Sequence, residues 1–202
     1  ASLYIIKALE KVGVSLSFEN LSAFTELDSP CVFIGNHMST LETFVLPAII
    51  QPHRPVTFVV KSSLLKYPFF GDLMASRNPI AVNRTNPRED LKKVLTEGCE
   101  KLAQGNSVIV FPQSTRSTEF DHKKFNSIGV KLAKKAGVPI VPLALKTDSW
   151  GHSKLGKEFG PIDISKKVHF AFDTPILAEG NSKEAHASVC NFIETSLKKW
   201  KN

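Results

Sequence analysis

The fold is decided by residues 30–47, which read PCVFIGNHMSTLETFVLP. An apolar run over 31–35 stops abruptly at Gly35, and polar residues follow at once, which is typical of a buried strand that ends in a functional site. A helix is predicted over about 40–50, because Ser39 or Thr40 can cap its start. The apolar residues that recur at helical spacing on its inward side are Leu41, Phe44, Val45 and Ala48.

The turn between this strand and this helix carries a histidine and a carboxylate. His37 and Glu42 are five residues apart, and a loop that enters a helix can fold the carboxylate back onto the imidazole. Such a pair makes a general base, because the carboxylate fixes the tautomer and stabilises the imidazolium that forms. The alternative is a solvated loop histidine beside a first-turn Glu that favours the helix dipole, and this stretch alone does not separate the two.

Length and composition favour one compact domain over residues 1–202. The chain has 202 residues, and 42% of them are hydrophobic, which is enough for a substantial core. Its net charge of +7 favours anionic partners such as phosphorylated metabolites, lipid head groups or nucleic acid. The 3 cysteines are far apart and lack metal-ligand spacing, so we expect core thiols and neither a disulfide framework nor a metal site.

Any membrane association is expected to be peripheral. The sequence has no run of about eighteen apolar residues and no signal peptide at its start. Residues 2–12 have the apolar spacing of a helix, so residues 1–13 could pack on the domain or lie on a bilayer as an amphipathic, membrane-proximal helix. The first residue is not methionine, and a removed upstream membrane segment is one expectation.

Strands alternate with helices along the whole chain. The predicted strands cover residues 14–18, 31–35, 56–60, 79–84, 107–112, 139–145 and 168–172. The predicted helices cover 2–12, 40–50, two short parts of 64–74, 87–104, 126–136 and 182–200. This order predicts an α/β single domain with a mixed, mostly parallel central sheet, flanked by helices, and an active site at the C-terminal ends of the strands. Pro139 and Pro142 argue for an edge position or for bulges in the 139–145 strand.

Polar residues follow four separate apolar strands. They are Asn36 and His37 with Glu42, then Lys61, then Arg84, and finally Thr115 with Arg116. Together they offer one base with its orienting carboxylate and three cations, which suits group transfer to or from a phosphate-bearing substrate. Arginine binds phosphate through two parallel hydrogen bonds, and lysine adds a point charge. The structural alternative is that the two arginines form salt bridges and that the lysine is solvated.

Four blocks of sequence occur in order between residues 31 and 145. They are NHMSTLE at 36–42, IAVNR at 80–84, FPQSTRS at 111–117 and VPIVP at 138–142, with further matches at 61–71 and 125–129. In this order the blocks resemble those of the glycerolipid acyltransferases, a family that includes lysophosphatidate acyltransferase and glycerol-3-phosphate acyltransferase.

The resemblance implies an O-acyltransferase in which His37 is the general base and Glu42 orients it. His37 would take the proton of an acceptor hydroxyl, which attacks the thioester carbonyl of acyl-CoA or of an acyl-carrier protein without forming an acyl-enzyme. Arg84, Arg116 and Lys61 would bind the phosphate of the acceptor.

The resemblance also assigns substrates and location. The residues that would position the acceptor are Asn36, Gln113, Ser114 and Thr115. The leading acceptor is the lysophospholipid 1-acyl-glycerol-3-phosphate, and apolar residues of 64–74 would guide an acyl chain. No metal or redox cofactor is implied. We expect a peripheral protein at the cytoplasmic side of a membrane.

Four positions depart from the pattern of the family. They are Glu42 in place of Asp, Asn78 and Ser114 in place of Gly, and Gln113 in place of Glu. Other acceptors therefore stay open, among them a different lysolipid or an amino-acid-containing lipid. A non-catalytic lipid-binding relative is one rival hypothesis. A nucleic-acid binder is a second rival, which the dispersed basic residues disfavour.

Overall fold

The computed structural model describes residues 2–67, 70–151, 160–177 and 181–201, apart from the side chains of Ser2, Leu3 and Phe70. Seven strands form one sheet: β1 (Leu16–Glu19), β2 (Val32–Gly35), β3 (Val56–Lys61), β4 (Ile80–Val82), β5 (Ser107–Val110), β6 (Ile140–Lys146) and β7 (Val168–Phe172). The α-helices are α1 (Ser2–Lys11), α2 (Ser22–Thr25), α3 (Leu41–Ile50), α4 (Phe70–Ala75), α5 (Pro87–Ala103), α6 (Ile128–Ala136) and α7 (Ser182–Lys199). Short 3-10 helices cover Ser62–Lys66 and His122–Lys124.

The sheet has the strand order β1-β7-β6-β2-β5-β3-β4. All neighbouring pairs are parallel except β6 and β7, which are antiparallel. The predicted α/β class with a mixed, mostly parallel sheet is therefore confirmed. The strand β2 lies at the centre, and the C-terminal ends of β2 to β6 meet at one edge of the sheet, where ligand sites of such folds are found.

Side chains that alternate along β2 divide the core into two layers. Phe33 packs in the layer that contains α1 and α3, whereas Val32 and Ile34 pack in the layer that contains α5, α6 and α7. All three side chains are almost fully buried. Burial of a large apolar side chain contributes about 1.5–3 kcal/mol, so this central strand is firmly held between the helices.

The position of β6 corrects one prediction. The edge alternative for this strand is wrong, because β6 pairs with β2 on one side and with β7 on the other. The register does shift by one residue between the Leu143–Phe172 pair and the bridge from Ile140 to Ile176, but the extra residue lies in the segment 172–176 opposite β6 and not in β6 itself. Pro142 lies between these two points, so its missing N–H falls where the ladder is already interrupted.

Other differences concern the ends of elements. The first strand begins at Leu16 rather than at residue 14, and β4 ends at Val82, two residues before Arg84. The sequence did not predict α2, and part of the 64–74 segment, residues 68–69, lies outside the described residues. The helix α1 packs against α3, whereas Tyr4 and Val12 are exposed. Within the described ranges no helix is long and apolar enough to cross a bilayer.

Candidate active site

The turn that carries His37 is fastened to the sheet by Asn36. The Asn36 side-chain amide donates to the Leu145 carbonyl oxygen at 2.8 Å and accepts from the Leu145 N–H, also at 2.8 Å. This pair of bonds continues the β2–β6 ladder by one step beyond Gly35. Because the amide is buried and already bonded on both sides, Asn36 anchors the turn. Acceptor positioning by Asn36 stays a prediction, and little of its hydrogen-bonding capacity is left for it.

The predicted His37–Glu42 pair is formed. The distance between His37 Nδ1 and Glu42 Oε1 is 2.8 Å, and the His37 side chain is 17% exposed whereas that of Glu42 is 0% exposed. The path of the chain explains the contact, because residues 36–40 form a loop and α3 begins only at Leu41. Thr40 makes no capping bond through its side chain, and the Ser39 hydroxyl oxygen accepts from the Leu41 N–H at 3.2 Å.

Glu42 lies in a nest of hydrogen-bond donors. Its Oε1 accepts from the Met38 N–H at 2.7 Å, and both of its oxygens lie 3.1 Å from the Ser39 nitrogen. Its Oε2 accepts from the Thr147 hydroxyl at 2.5 Å. Burial raises the pKa of Glu42, but the hydrogen bond and charge of His37, with the bonds from Thr147 and Met38, outweigh it and hold this pKa below the ordinary value.

This environment determines which nitrogen of His37 can act as a base. An ionised carboxylate can only accept hydrogen bonds, so the proton of the neutral imidazole lies on Nδ1, between the ring and Glu42. Nε2 is then left with its lone pair. The carboxylate also stabilises the imidazolium that forms when Nε2 takes a proton. Geometry and charge are therefore those of a general base.

The loop that follows β5 clamps the His37 turn from the other side. The Gln113 side-chain oxygen accepts from the His37 N–H at 2.7 Å, and the Ser117 N–H donates to the His37 carbonyl oxygen at 2.9 Å. The Arg116 guanidinium donates to the Thr40 hydroxyl oxygen. Phe111 stacks on the imidazole with ring centroids 4.5 Å apart and planes 2° apart.

These contacts show how the third sequence block, residues 111–117, supports the His37 turn. Gln113 is 5% exposed and supports the backbone of His37 through its oxygen, which a Glu at this position would also offer. The Arg116 guanidinium lies at the start of α3. Thr115 is exposed on the same loop. The loop thus supports the His37 turn by direct contacts. Phosphate binding by Arg116 stays a prediction.

Arg84 is held in a constrained turn beside the same loop. Its φ of 61° lies in the left-handed region, which is uncommon for a residue with a side chain. Asp90 stabilises this turn, because its carboxylate accepts from the Asn83 N–H at 3.0 Å and from the Arg84 N–H at 2.8 Å. The Arg84 guanidinium donates to the Ser114 carbonyl oxygen. Lys61 is exposed at the end of the neighbouring strand β3, opposite Val82.

A cavity of about 430 Å³ lies between the sheet and the helices α5 and α6. Its apolar lining comprises Val59, Val82, Leu91, Val94, Val110 and Ile128, and its polar lining includes Arg84, Asp90, Gln113, Ser114, Asn126 and Lys131. Phe111 contacts both this cavity and the imidazole. The described residues that line the cavity lie on the α5–α6 side of the sheet. Guidance of an acyl chain by residues 64–74 stays a prediction.

Some residues of the site were not predicted. Ser39 and Thr147 surround the Glu42 carboxylate, Asp90 holds the Arg84 turn, and Lys131 lines the cavity. Thr147 follows β6 at the same edge of the sheet as the other polar groups, so the strand-end rule could have found it. Lys131 gave no such signal, because it is one of several exposed lysines on α6. Within the described ranges no three His, Cys, Asp or Glu side chains gather as they would around a metal ion.

Comparison with known proteins places the chain among acyltransferases. The family model described as Acyltransferase matches residues 15–146. The chain is 39% identical to the 1-acyl-sn-glycerol-3-phosphate acyltransferase of Pseudomonas aeruginosa over 157 residues, which are 77% of the chain and 60% of that protein. It is 33% identical to a protein of the same name from Chlamydomonas reinhardtii over 171 residues, which are 84% of the chain and 50% of that protein.

The fold also matches a solved structure. The crystal structure of the 1-acyl-sn-glycerophosphate acyltransferase PlsC from Thermotoga maritima superposes with a TM-score of 0.71 at 23% identity, covering 99% of this chain and 81% of that one. At this identity the likeness shows the fold alone. The chain spans 50% to 60% of the two named sequence relatives. The matched family model covers both the His37 turn and the 113–117 loop. The motifs of the chain are those of the glycerolipid acyltransferases. The chain therefore belongs to the acyltransferase family.

Proposed function

We propose that this chain transfers a fatty acyl group from a thioester donor to the hydroxyl of a lysophospholipid. The observation that carries the proposal is the His37–Glu42 pair, which leaves Nε2 of His37 with a free lone pair. The imidazole stacks on Phe111, which also lines the partly apolar cavity. The relatives named 1-acyl-sn-glycerol-3-phosphate acyltransferase make 1-acyl-glycerol-3-phosphate the leading acceptor.

The reaction needs only one proton carrier. Nε2 of His37 takes the proton of the acceptor hydroxyl while the oxygen attacks the thioester carbonyl, and a tetrahedral intermediate forms. The intermediate collapses, the carbon–sulfur bond breaks, and the imidazolium returns its proton to the leaving thiolate. The products are an ester and a free thiol, and the neutral histidine is regenerated. Throughout, Glu42 keeps Nδ1 as the protonated nitrogen.

The cavity offers a place for an anionic amphiphile. Arg84 and Lys131 are its two cations, and the only carboxylate among its described lining residues, Asp90, is bound to the two backbone N–H groups of the Arg84 turn. A phosphate at these cations would leave the apolar lining for an alkyl chain. Lys61, at the end of β3, and Arg116, on the loop after β5, would add positive charge, and the polar residues of the 113–115 loop would position the acceptor.

The donor and the membrane complete the proposal. We take acyl-CoA or an acyl-carrier protein as the donor, since either presents a fatty acyl thioester. The membrane surface is the proposed source of the acceptor, and Tyr4 on α1 and Val12 directly after it have relative exposures of 77% and 56%. Exposed aromatic and aliphatic side chains on a short amphipathic helix suit peripheral binding at a bilayer. Sedimentation with anionic vesicles, with and without Tyr4→Ser, measures this binding.

A panel experiment tests the proposed function. The protein is incubated with lysophosphatidate, lysophosphatidylcholine, a monoacylated amino-acid lipid and a neutral monoacylglycerol, each with acyl-CoA and with acyl-carrier protein. Product mass identifies the acceptor and the donor. We expect diacyl product with lysophosphatidate. Binding of lysolipid without product from any combination would support the non-catalytic lipid-binding alternative.

A further inference from the structure

A group of buried hydroxyls lies behind the His37–Glu42 pair, on the side away from the imidazole. Thr147 is the first residue after β6, is fully buried, and reaches Glu42 across 105 positions of sequence. Its hydroxyl donates to Oε2 of Glu42 at 2.5 Å. Ser39, which is also buried, has its hydroxyl 3.0 Å from Thr147 Oγ1 and 3.1 Å from Oε2 of Glu42.

The two oxygens of Glu42 share the Ser39 N–H but otherwise have different partners. Oε1 faces the imidazole and the Met38 N–H, so it belongs to the reacting side. Oε2 faces only neutral donors among the described residues, namely the Ser39 N–H, the Ser39 hydroxyl and the Thr147 hydroxyl. Ser39 lies in the same loop as His37 and moves with it. Thr147 is therefore the donor that ties the carboxylate to a separate element.

That separate element is fixed by the sheet. The strand β6 is hydrogen-bonded to β2 and β7, and Leu145, two residues before Thr147, exchanges both of its backbone bonds with the Asn36 amide. The same strand end thus holds the turn before His37 and the carboxylate after it. A hydrogen bond to a charged group is also among the stronger ones in proteins. Loss of the Thr147 bond would therefore free the Glu42 carboxylate to change its orientation.

We propose that Thr147 is a positioning residue for the acyl transfer, which it supports by fixing the Glu42 carboxylate so that Oε1 faces Nδ1 of His37. This inference rests on the proposed function. Thr147 touches neither substrate nor the reacting atoms, so its contribution lies in kcat and not in substrate binding. In the resting protein, the bond from the Thr147 hydroxyl to Oε2 then helps to hold the His37 Nδ1 proton in place on the other side of Glu42.

The test compares two variants at this position with a matched control. Thr147→Val replaces the hydroxyl by a methyl group of similar size, and Thr147→Ser keeps the hydroxyl. Thr57→Val makes the same change at another buried threonine, whose hydroxyl donates to the Arg77 carbonyl oxygen at 2.8 Å, outside the site. We expect kcat to fall about 10- to 100-fold for Thr147→Val with KM within about two-fold, and to stay near the original for the other two variants.

A double-mutant cycle shows whether Thr147 acts through Glu42. In a Glu42→Gln background we expect Thr147→Val to lower kcat by less than about a further two-fold, because the charge that Thr147 orients is already gone. A full additional loss in that background would overturn the inference, as would an unchanged kcat for Thr147→Val alone.

Nuclear magnetic resonance of the imidazole separates this inference from the proposed function. Nitrogen-15 spectra report the His37 tautomer. We expect Thr147→Val to lower the population of the Nδ1-protonated form or to speed exchange of its proton, while Thr147→Ser and Thr57→Val leave the population and the exchange rate unchanged. Identical His37 spectra in Thr147→Val would overturn the inference even if the protein proved to have no transferase activity. Inactivity of the unchanged protein with all donors and acceptors would overturn the proposed function alone.

Discussion

Replacing Glu42 by Gln removes one negative charge from the site and little else. The side chain keeps its length, so its amide oxygen can still accept from His37 Nδ1 and the Met38 N–H as Oε1 does now. The amide nitrogen then takes the place of Oε2. The Thr147 hydroxyl can rotate to accept from it, but the Ser39 N–H cannot reverse its direction. That N–H keeps the amide oxygen at the position of Oε1 as an acceptor, 3.1 Å away, but it then also faces an amide N–H group.

The expected magnitudes follow from these contacts. A hydrogen bond to a charged group contributes roughly 1.5–3 kcal/mol and one between neutral groups roughly 0.5–1.5 kcal/mol, so the free energy of unfolding should fall by roughly 1–3 kcal/mol at neutral pH. The effect on kcat is larger, because the imidazolium loses its counter-charge and the tautomer is no longer enforced. In a comparable histidine base the loss of the carboxylate lowers kcat about 10⁴-fold, and we expect a loss of roughly 10³- to 10⁴-fold here.

Thiol release from the acyl donor at saturating acceptor gives kcat, and chemical denaturation gives the free energy of unfolding. Glu194→Gln is the matched control, because Glu194 also pairs with a histidine, His122, at 3.2 Å, but on the surface. This control should keep the original kcat. If Glu42→Gln retained kcat within about three-fold while folding normally, the carboxylate would not be part of the base, and the reasoning would be refuted.

Three further predictions concern charge, pH and support of the turn. Lys131→Met should raise KM for lysophosphatidate about ten-fold, with little change in kcat and in KM for monoacylglycerol. Lys135→Met, on the exposed end of the same helix, should leave kcat and both KM values unchanged. Equal effects of Lys131→Met on both acceptors would contradict phosphate binding. The pKa of Glu42 is lower folded than its ordinary 4.5, so its contribution to the free energy of unfolding should be full above pH 4.5 and disappear as pH falls through the folded-state pKa. Denaturation from pH 7 to pH 3 should show this loss in the unchanged protein relative to Glu42→Gln, and parallel curves would argue against it. Gln113→Ala should lower the free energy of unfolding by roughly 1–3 kcal/mol, because the His37 N–H loses its acceptor, and an unchanged denaturation midpoint would argue against this support.

The sequence predicted the parts of the fold that depend on local pattern. The continuous apolar run over residues 31–35 and its abrupt stop at Gly35 located the central strand, and the strand-end rule located the His37–Glu42 pair. That pair needs only one loop and one helix start, so both of its residues lie within the short stretch from His37 to Glu42. Asn78, at a position where the family usually has Gly, has a φ of 47°, which agrees with a backbone that favours Gly and tolerates Asn.

The features that the sequence did not predict depend on contacts between distant segments. Thr147 reaches Glu42 only because β6 lies beside β2, and no local pattern reports which strands are neighbours. The direction of β7 and the internal position of β6 follow from the same pairing. The cavity between the sheet and α5 and α6 results from helix packing, which no local sequence pattern reports. The bonds by which Asn36 anchors the turn to Leu145 also depend on this strand pairing and are not visible in the sequence.

The central claim is that His37 is the general base of an acyl transfer. The most direct measurement is the rate of diacyl product formation, followed by mass, for His37→Gln and for His122→Gln, whose histidine also pairs with a carboxylate but lies at the surface. With lysophosphatidate and a fatty acyl thioester, we predict that His37→Gln loses at least about 10³-fold in kcat and that His122→Gln keeps the original rate. Equal rates for the two folded variants would contradict the claim.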